Sequence, residues 1–140
     1  MKDPATLELA LRAAAVGQLM IAVLGLALPR LLDWRTATAA MPLLVREVFQ
    51  IHTWFIALTC AIFAALTWHF ATALAAGGDE LGRALCAAIS IFWGFRSILQ
   101  WTHYSSSHWR GKTGPTIVHW LLFFVYGSWG FIYAMAALPP

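Results

Sequence analysis

Charge is scarce in this sequence. Lys, Arg, Asp and Glu make up 11% of its 140 residues, against about 25% in ordinary globular domains. A soluble fold of that composition would lack polar cover for its surface. Cysteine is nearly absent too. Cys60 and Cys86 are the only two, and they lack the C-x-x-C spacing of a thiol-redox motif or the numbers of a disulfide framework. Counted from the turn at residues 77–79 at about 1.5 Å per residue, Cys60 lies about 25 Å down one helix and Cys86 about 10 Å down the next. A bridge needs Cα atoms within about 7 Å, so both read as packing residues. Also missing are a nucleophile elbow, paired carboxylates, P-loop spacing, and any H-x-x-x-H or H-E-x-x-H run, so no metal site is expected. No basic stripe interleaved with aromatics suggests nucleic acid.

What the chain has is apolar length. It is 61% hydrophobic with a mean hydropathy of +0.71, and apolar runs near the ~18 residues of a membrane span recur along it. The expected fold is all-α: an integral membrane four-helix bundle, antiparallel and up-down, in one transmembrane domain covering residues 1–140. The spans read as 6–28, 43–76, 80–104 and 115–138. Met1-Lys2-Asp3-Pro4 opens poorly for a signal peptide and no A-x-A site follows, so the first span is expected to be retained. Ala14, Ala15, Gln18, Ala22 and Gly25 share one stripe of it, and small residues let helix backbones approach in lipid. Pro29-Arg30 ends this span, and residues 33–40 form a loop.

The second helix opens near Pro42. At 34 residues it exceeds the ~20 that cross hydrocarbon, which leaves 42–50 in the headgroup zone and 51–72 as the crossing part. Gly77-Gly78 breaks it, and Asp79 offers an N-cap for the third helix. Residues 105–114 form a polar loop. Its Trp109-Arg110-Gly111-Lys112 reads as an interfacial turn touching anionic lipid. Arg30, Arg35, Arg46, Arg110 and Lys112 outnumber Lys2, Arg12 and Arg83 on the opposite side. The positive-inside rule therefore puts loops one and three in the cytoplasm. Trp34, Trp101, Trp109 and Trp120 fit an aromatic belt at that interface. Ala- and Leu-rich usage points to a bacterial inner membrane.

Arg96 stands inside an apolar run, between Phe92-Trp93-Gly94-Phe95 and Ile98-Leu99. A guanidinium at membrane depth costs roughly 2.5 to 17 kcal/mol depending on the measure, and is a functional-site hypothesis by default. Arg96, Gln100 and His103 or Tyr104 recur at helical spacing on one stripe. His119, Phe123, Tyr126, Gly130 and Tyr133 make a second stripe on the fourth span. On the second helix His52 shares a face with Phe55 and Thr59, while Arg46, Gln50 and Thr53 point elsewhere. Antiparallel neighbours bring these ends to one membrane face, with Glu47 the acid nearest Arg96 in depth.

The expected site is a polar pocket of His52, Arg96, Gln100, His119, Tyr126 and Glu47, closed in by Phe55, Trp93, Phe123 and Tyr126. It would bind a small hydrophobic ligand or cofactor: haem b between imidazoles, a quinone, or a lipid headgroup. The competing structural account is an Arg96–Glu47 ion pair and hydrogen-bonded packing histidines. The rival functions are a structural subunit of a larger membrane complex and a lipid-modifying enzyme using Glu47 or a histidine as acid or base. The lipid bilayer is the expected partner. A second copy could pack on the first span's small-residue stripe or the Gly127/Gly130 groove. His103 and His108 read as surface residues, and His69 as interfacial.

Arg46-Glu47-Val48-Phe49 followed by His52, Phe92-Trp93 with Arg96 and Gln100, and Trp109-Arg110-Gly111-Lys112 ahead of Thr116 and His119 resemble a set of uncharacterised bacterial four-span membrane proteins. The resemblance covers about two thirds of the chain. It implies the four-span fold and carries no activity, so it assigns no site residue.

Overall fold

A computed structural model describes residues 3–77, 79–105, 107 and 109–139; Lys2, Gly78, Ser106 and His108 lie outside them. Among the described residues every regular element is a helix: α1 (Pro4–Leu31), the single turn α2 (Trp34–Ala37), α3 (Leu43–Ala76), α4 (Glu80–Thr102) and α5 (Thr113–Ala137). All but α2 are long and apolar enough to cross a membrane. The protein is a multi-pass integral membrane protein, and large side chains such as Met20, Val23, Trp54, Ile91, Phe95 and Phe131 lie exposed, as lipid contact requires.

The ends of the helices follow from local chemistry. Asp3 caps α1 by accepting from the backbone N–H of Ala5 and Thr6 and from the Thr6 hydroxyl. The Thr6 hydroxyl first, then the backbone, holds this carboxyl below its ordinary value. Pro4 follows at the first helical position, where its missing N–H costs nothing. The helix passes through Pro29 rather than stopping there: a proline near the end forfeits one bond, to the Gly25 carbonyl, and the remaining turn holds. The stop is Asp33, the one non-glycine at positive φ among the described residues, in the left-handed region that Asp enters more readily than most residues. The expected loop at 33–40 therefore contains α2. Asp79 caps α4 by accepting from the Gly82 N–H, as its position suggested.

The chain divides into two compact units. One comprises residues 12–70, most of α1, α2 and α3. Its buried residues are small and recur at heptad-like spacing: Ala14, Ala15, Gln18 and Ala22 on α1, and Ala57, Cys60, Ala64 and Thr67 on α3. α1 and α3 run antiparallel. The Arg12 guanidinium lies 5.2 Å from the Trp68 ring centre at one end, and Arg30 shares a hollow with Gln50 at the other.

The second unit holds residues 1–11 and 71–140, and α4 and α5 form its centre. They too are antiparallel, joined by two serines that donate to the backbone of the facing helix. Ser90 Oγ bonds the Gly130 carbonyl at 2.8 Å and Ser97 Oγ the Phe123 carbonyl at 3.0 Å. Trp93 stacks on Tyr126 with centroids 5.3 Å apart, and Trp129 meets it edge-on at 4.7 Å. Gly130 faces α4 in this unit rather than an open groove. A Cβ there would stand 3.1 Å from Gly94 N and 3.3 Å from Gly94 Cα. A water-driven hydrophobic effect is missing between helices in lipid, so close contact and interhelical hydrogen bonds carry the association.

The approach is one-sided: a Cβ on Gly94 meets nothing within 4 Å. Gly130→Ala should therefore cost about 1–3 kcal/mol through overpacking against backbone, while Gly94→Ala changes stability little. Thermal unfolding of both variants in one detergent checks this, and equal effects would contradict the packing described.

Candidate functional site

Four of the six expected site residues meet at the junction of α4 and α5. Arg96 and Gln100 stand one turn apart on α4. The Arg96 guanidinium donates through Nη1 to Gln100 Oε1 at 3.1 Å and through Nη2 to the Tyr104 hydroxyl at 3.4 Å. Its carbon lies 4.9 Å from the Tyr126 ring centre and 5.8 Å from that of Tyr104. It makes no ion pair among the described residues. Two ring faces and an amide oxygen solvate the cation in place of an anion, an arrangement worth up to about 2 kcal/mol per ring when desolvated. Tyr104 lies beyond the end of α4, so the side chain extends toward the membrane surface, which lowers its cost further.

Gln100 is buried, and its other amide atom reaches α5. Gln100 Nε2 lies 3.3 Å from His119 Nδ1. With Oε1 committed to Arg96, Nε2 can only donate, so His119 Nδ1 must accept. The opposite amide orientation would set NH2 against guanidinium. A His119 ring that accepts at Nδ1 carries its proton on Nε2. That atom is buried with no partner among the described residues. The relay Arg96→Gln100→His119 thus ends in a donor that lacks an acceptor.

Trp109 covers the imidazole, ring to ring, with centroids 4.6 Å apart and planes 13° from parallel. The loop is built to hold it there. Lys112 N–H bonds the Trp109 carbonyl at 3.0 Å, and Gly111 takes φ +79°, matching the third residue of a type II turn. The Thr116 hydroxyl, in the first turns of α5, lies 2.6 Å from the Trp109 carbonyl and 2.8 Å from that of Lys112. Sequence reasoning placed Trp109 in an aromatic belt. The signal for its packing role was the glycine two residues on and a hydroxyl seven residues on.

The remaining two expected residues belong to α3. Glu47 and His52 are exposed on α3, in the unit of residues 12–70, and so is Phe55. Neither Arg96 nor Glu47 makes an ion pair among the described residues. Trp93 and Tyr126, expected to wall the pocket, stack on each other within the α4–α5 pair. No group of three or more His, Cys, Asp or Glu side chains that could hold a metal occurs among the described residues. A groove of about 360 Å³ runs along the same helix pair, lined by Ser97, Phe123, Phe124, Gly127, Ser128, Phe131 and Ile132. It begins one turn from His119. No protein-family model, curated protein or solved structure matches this chain.

Gln100 connects two groups that cannot both be left alone. Gln100→Leu should destabilise the protein by about 1–3 kcal/mol, the cost of an unpaired buried polar group. Tyr104→Phe, which keeps the ring and removes only an exposed contact, should stay within about 0.5 kcal/mol. Chemical denaturation in mixed micelles compares them, and equal losses would contradict a central role for the amide.

Proposed function

We propose that this membrane protein binds a small amphiphilic ligand whose carbonyl or ester oxygen accepts from His119 Nε2, with the apolar part lying in the groove from Phe123 to Ile132. A quinone or the ester region of a lipid has this chemistry. The observation that carries the reading is the buried Nε2, without a partner among the described residues, at the end of the relay from Arg96 through Gln100. Leaving such a donor empty costs about 1–3 kcal/mol, which an acceptor oxygen would return. Arg96 and Gln100 set the polarity of the relay, and Tyr126 supports Arg96. Glu47 and His52 take no part in this reading.

Haem b is disfavoured by the same argument. Iron binds the lone pair of an imidazole nitrogen, but Nδ1 is taken by Gln100 and Nε2 bears the proton. A bacterial inner-membrane location, loops one and three in the cytoplasm, and kinship with the uncharacterised four-span proteins are part of the proposal. They rest on composition, on the placement of Arg30, Arg35, Arg46, Arg110 and Lys112, and on the motifs quoted above.

Native mass spectrometry of the full chain, released from detergent, is the test. The wild type should carry a small carbonyl-bearing molecule that His119→Phe loses, since Phe keeps a ring beneath Trp109 and removes the donor. The preparation should also lack the absorption bands of haem. An unliganded wild type, or a ligand held equally by His119→Phe, would leave the relay as packing alone. An absorption band of imidazole-ligated haem would contradict the assigned tautomer.

A further inference from the structure

A second hollow lies in the unit of residues 12–70, and none of the α4–α5 site residues line it. It encloses about 740 Å³. Three stretches of chain build it. The end of α1 supplies Leu26, Pro29 and Arg30, α2 and its flank supply Trp34, Arg35 and Thr38, and α3 supplies Arg46, Phe49, Gln50, Thr53 and Trp54. The α3 residues recur at i, i+3, i+4, i+7 and i+8, one continuous helix face. The reversal at Asp33 folds α2 back, and the Trp34 ring meets Phe49 at 4.9 Å to close the wall.

Three guanidiniums therefore line one hollow. Neither Arg30, Arg35 nor Arg46 makes a side-chain hydrogen bond or ion pair among the described residues. Asp33 and Glu47, their nearest acids in sequence, are not in the lining. The Thr38 and Thr53 hydroxyls are already committed to the carbonyls of Trp34 and Phe49, whereas the Gln50 amide has no partner among the described residues. The free donors are thus three planar cations and one amide, beside an apolar wall of Leu26, Trp34, Phe49 and Trp54. Like charges gathered without an anion repel, and guanidinium forks match phosphate oxygens bidentately. Depth agrees with this chemistry. α3 has 34 residues, about 51 Å of helix, against about 30 Å of hydrocarbon. Its arginine-bearing first turns fall at headgroup level.

We propose that this hollow binds a phosphate-bearing amphiphile, its phosphate held by Arg30, Arg35 and Arg46 and its apolar part against Trp34, Phe49 and Trp54. The phosphate belongs either to an anionic phospholipid of the bilayer or to a soluble phosphorylated compound. The proposal does not depend on the ligand assigned to His119.

The full chain is placed in nanodiscs of phosphatidylcholine with or without phosphatidylglycerol, and lipids retained on release are counted by native mass spectrometry. Glycerol 3-phosphate is titrated separately into the protein in phosphatidylcholine alone. The variants are Arg35→Gln/Arg46→Gln and, as a charge-matched control, Arg110→Gln/Lys112→Gln. Arg35→Gln is also tested alone, because that residue is exposed on the single-turn α2 and its loss leaves the helices intact. Selective retention of phosphatidylglycerol, cut at least tenfold by the cavity variants and little by the control, supports the site with lipid as the source. Saturable binding of glycerol 3-phosphate with the same dependence on the variants supports it with a soluble source. Equal loss in cavity and control variants, or no preference for either phosphate in the wild type, overturns it.

Discussion

Arg96 must keep its charge within a span that lipid surrounds, and the means by which it does so constrains everything around it. The guanidinium takes its acceptor from Gln100 and its ring faces from Tyr104 and Tyr126. That choice orients the Gln100 amide, the amide selects which nitrogen of His119 accepts, and the imidazole is left with a donor in a dry place. A carboxylate partner would have absorbed the charge and ended the chain of consequences at once. An amide passes polarity on, because it has one accepting and one donating end. The loop seals the arrangement by laying Trp109 across the ring.

The two units solve helix association differently. In residues 12–70 the buried positions of α1 and α3 are alanine, cysteine, threonine and one glutamine, which lets backbones approach by size alone. In the α4–α5 pair large aromatics fill the centre, so the backbones come closest at Gly130 against Gly94, reinforced by Ser90 and Ser97. The second design has rigid walls and a fixed hydrogen-bond pattern, which suits a site that must hold one imidazole orientation. The first includes α3, whose 34 residues exceed the ~20 that cross hydrocarbon.

The four spans were legible in the sequence because apolar length and helix punctuation are local properties. The differences came where one punctuation mark was overread: Pro29 costs a single bond and does not stop α1, while Asp33, whose left-handed backbone has no strong sequence mark, does. The stripes Arg96–Gln100–Tyr104 and His119–Tyr126 were also legible, since helical spacing assigns faces. Periodicity does not say which faces meet, however, so spacing alone did not fix whether Glu47 and His52 belong with these stripes. The face of Arg46, Gln50 and Thr53 was correctly separated from that of His52. Its partners Arg30 and Arg35 became visible only through the path of the connector after α1.

The tautomer of one ring tests this account most directly. With histidine labelled by 15N in the full chain in nanodiscs, and His119 assigned by its absence in His119→Phe, the imidazole shifts report which nitrogen holds the proton. A bare, hydrogen-bonded Nδ1 and a protonated Nε2 are predicted. A proton on Nδ1, or a ring averaging between both forms as in water, would contradict the relay from Arg96 through Gln100.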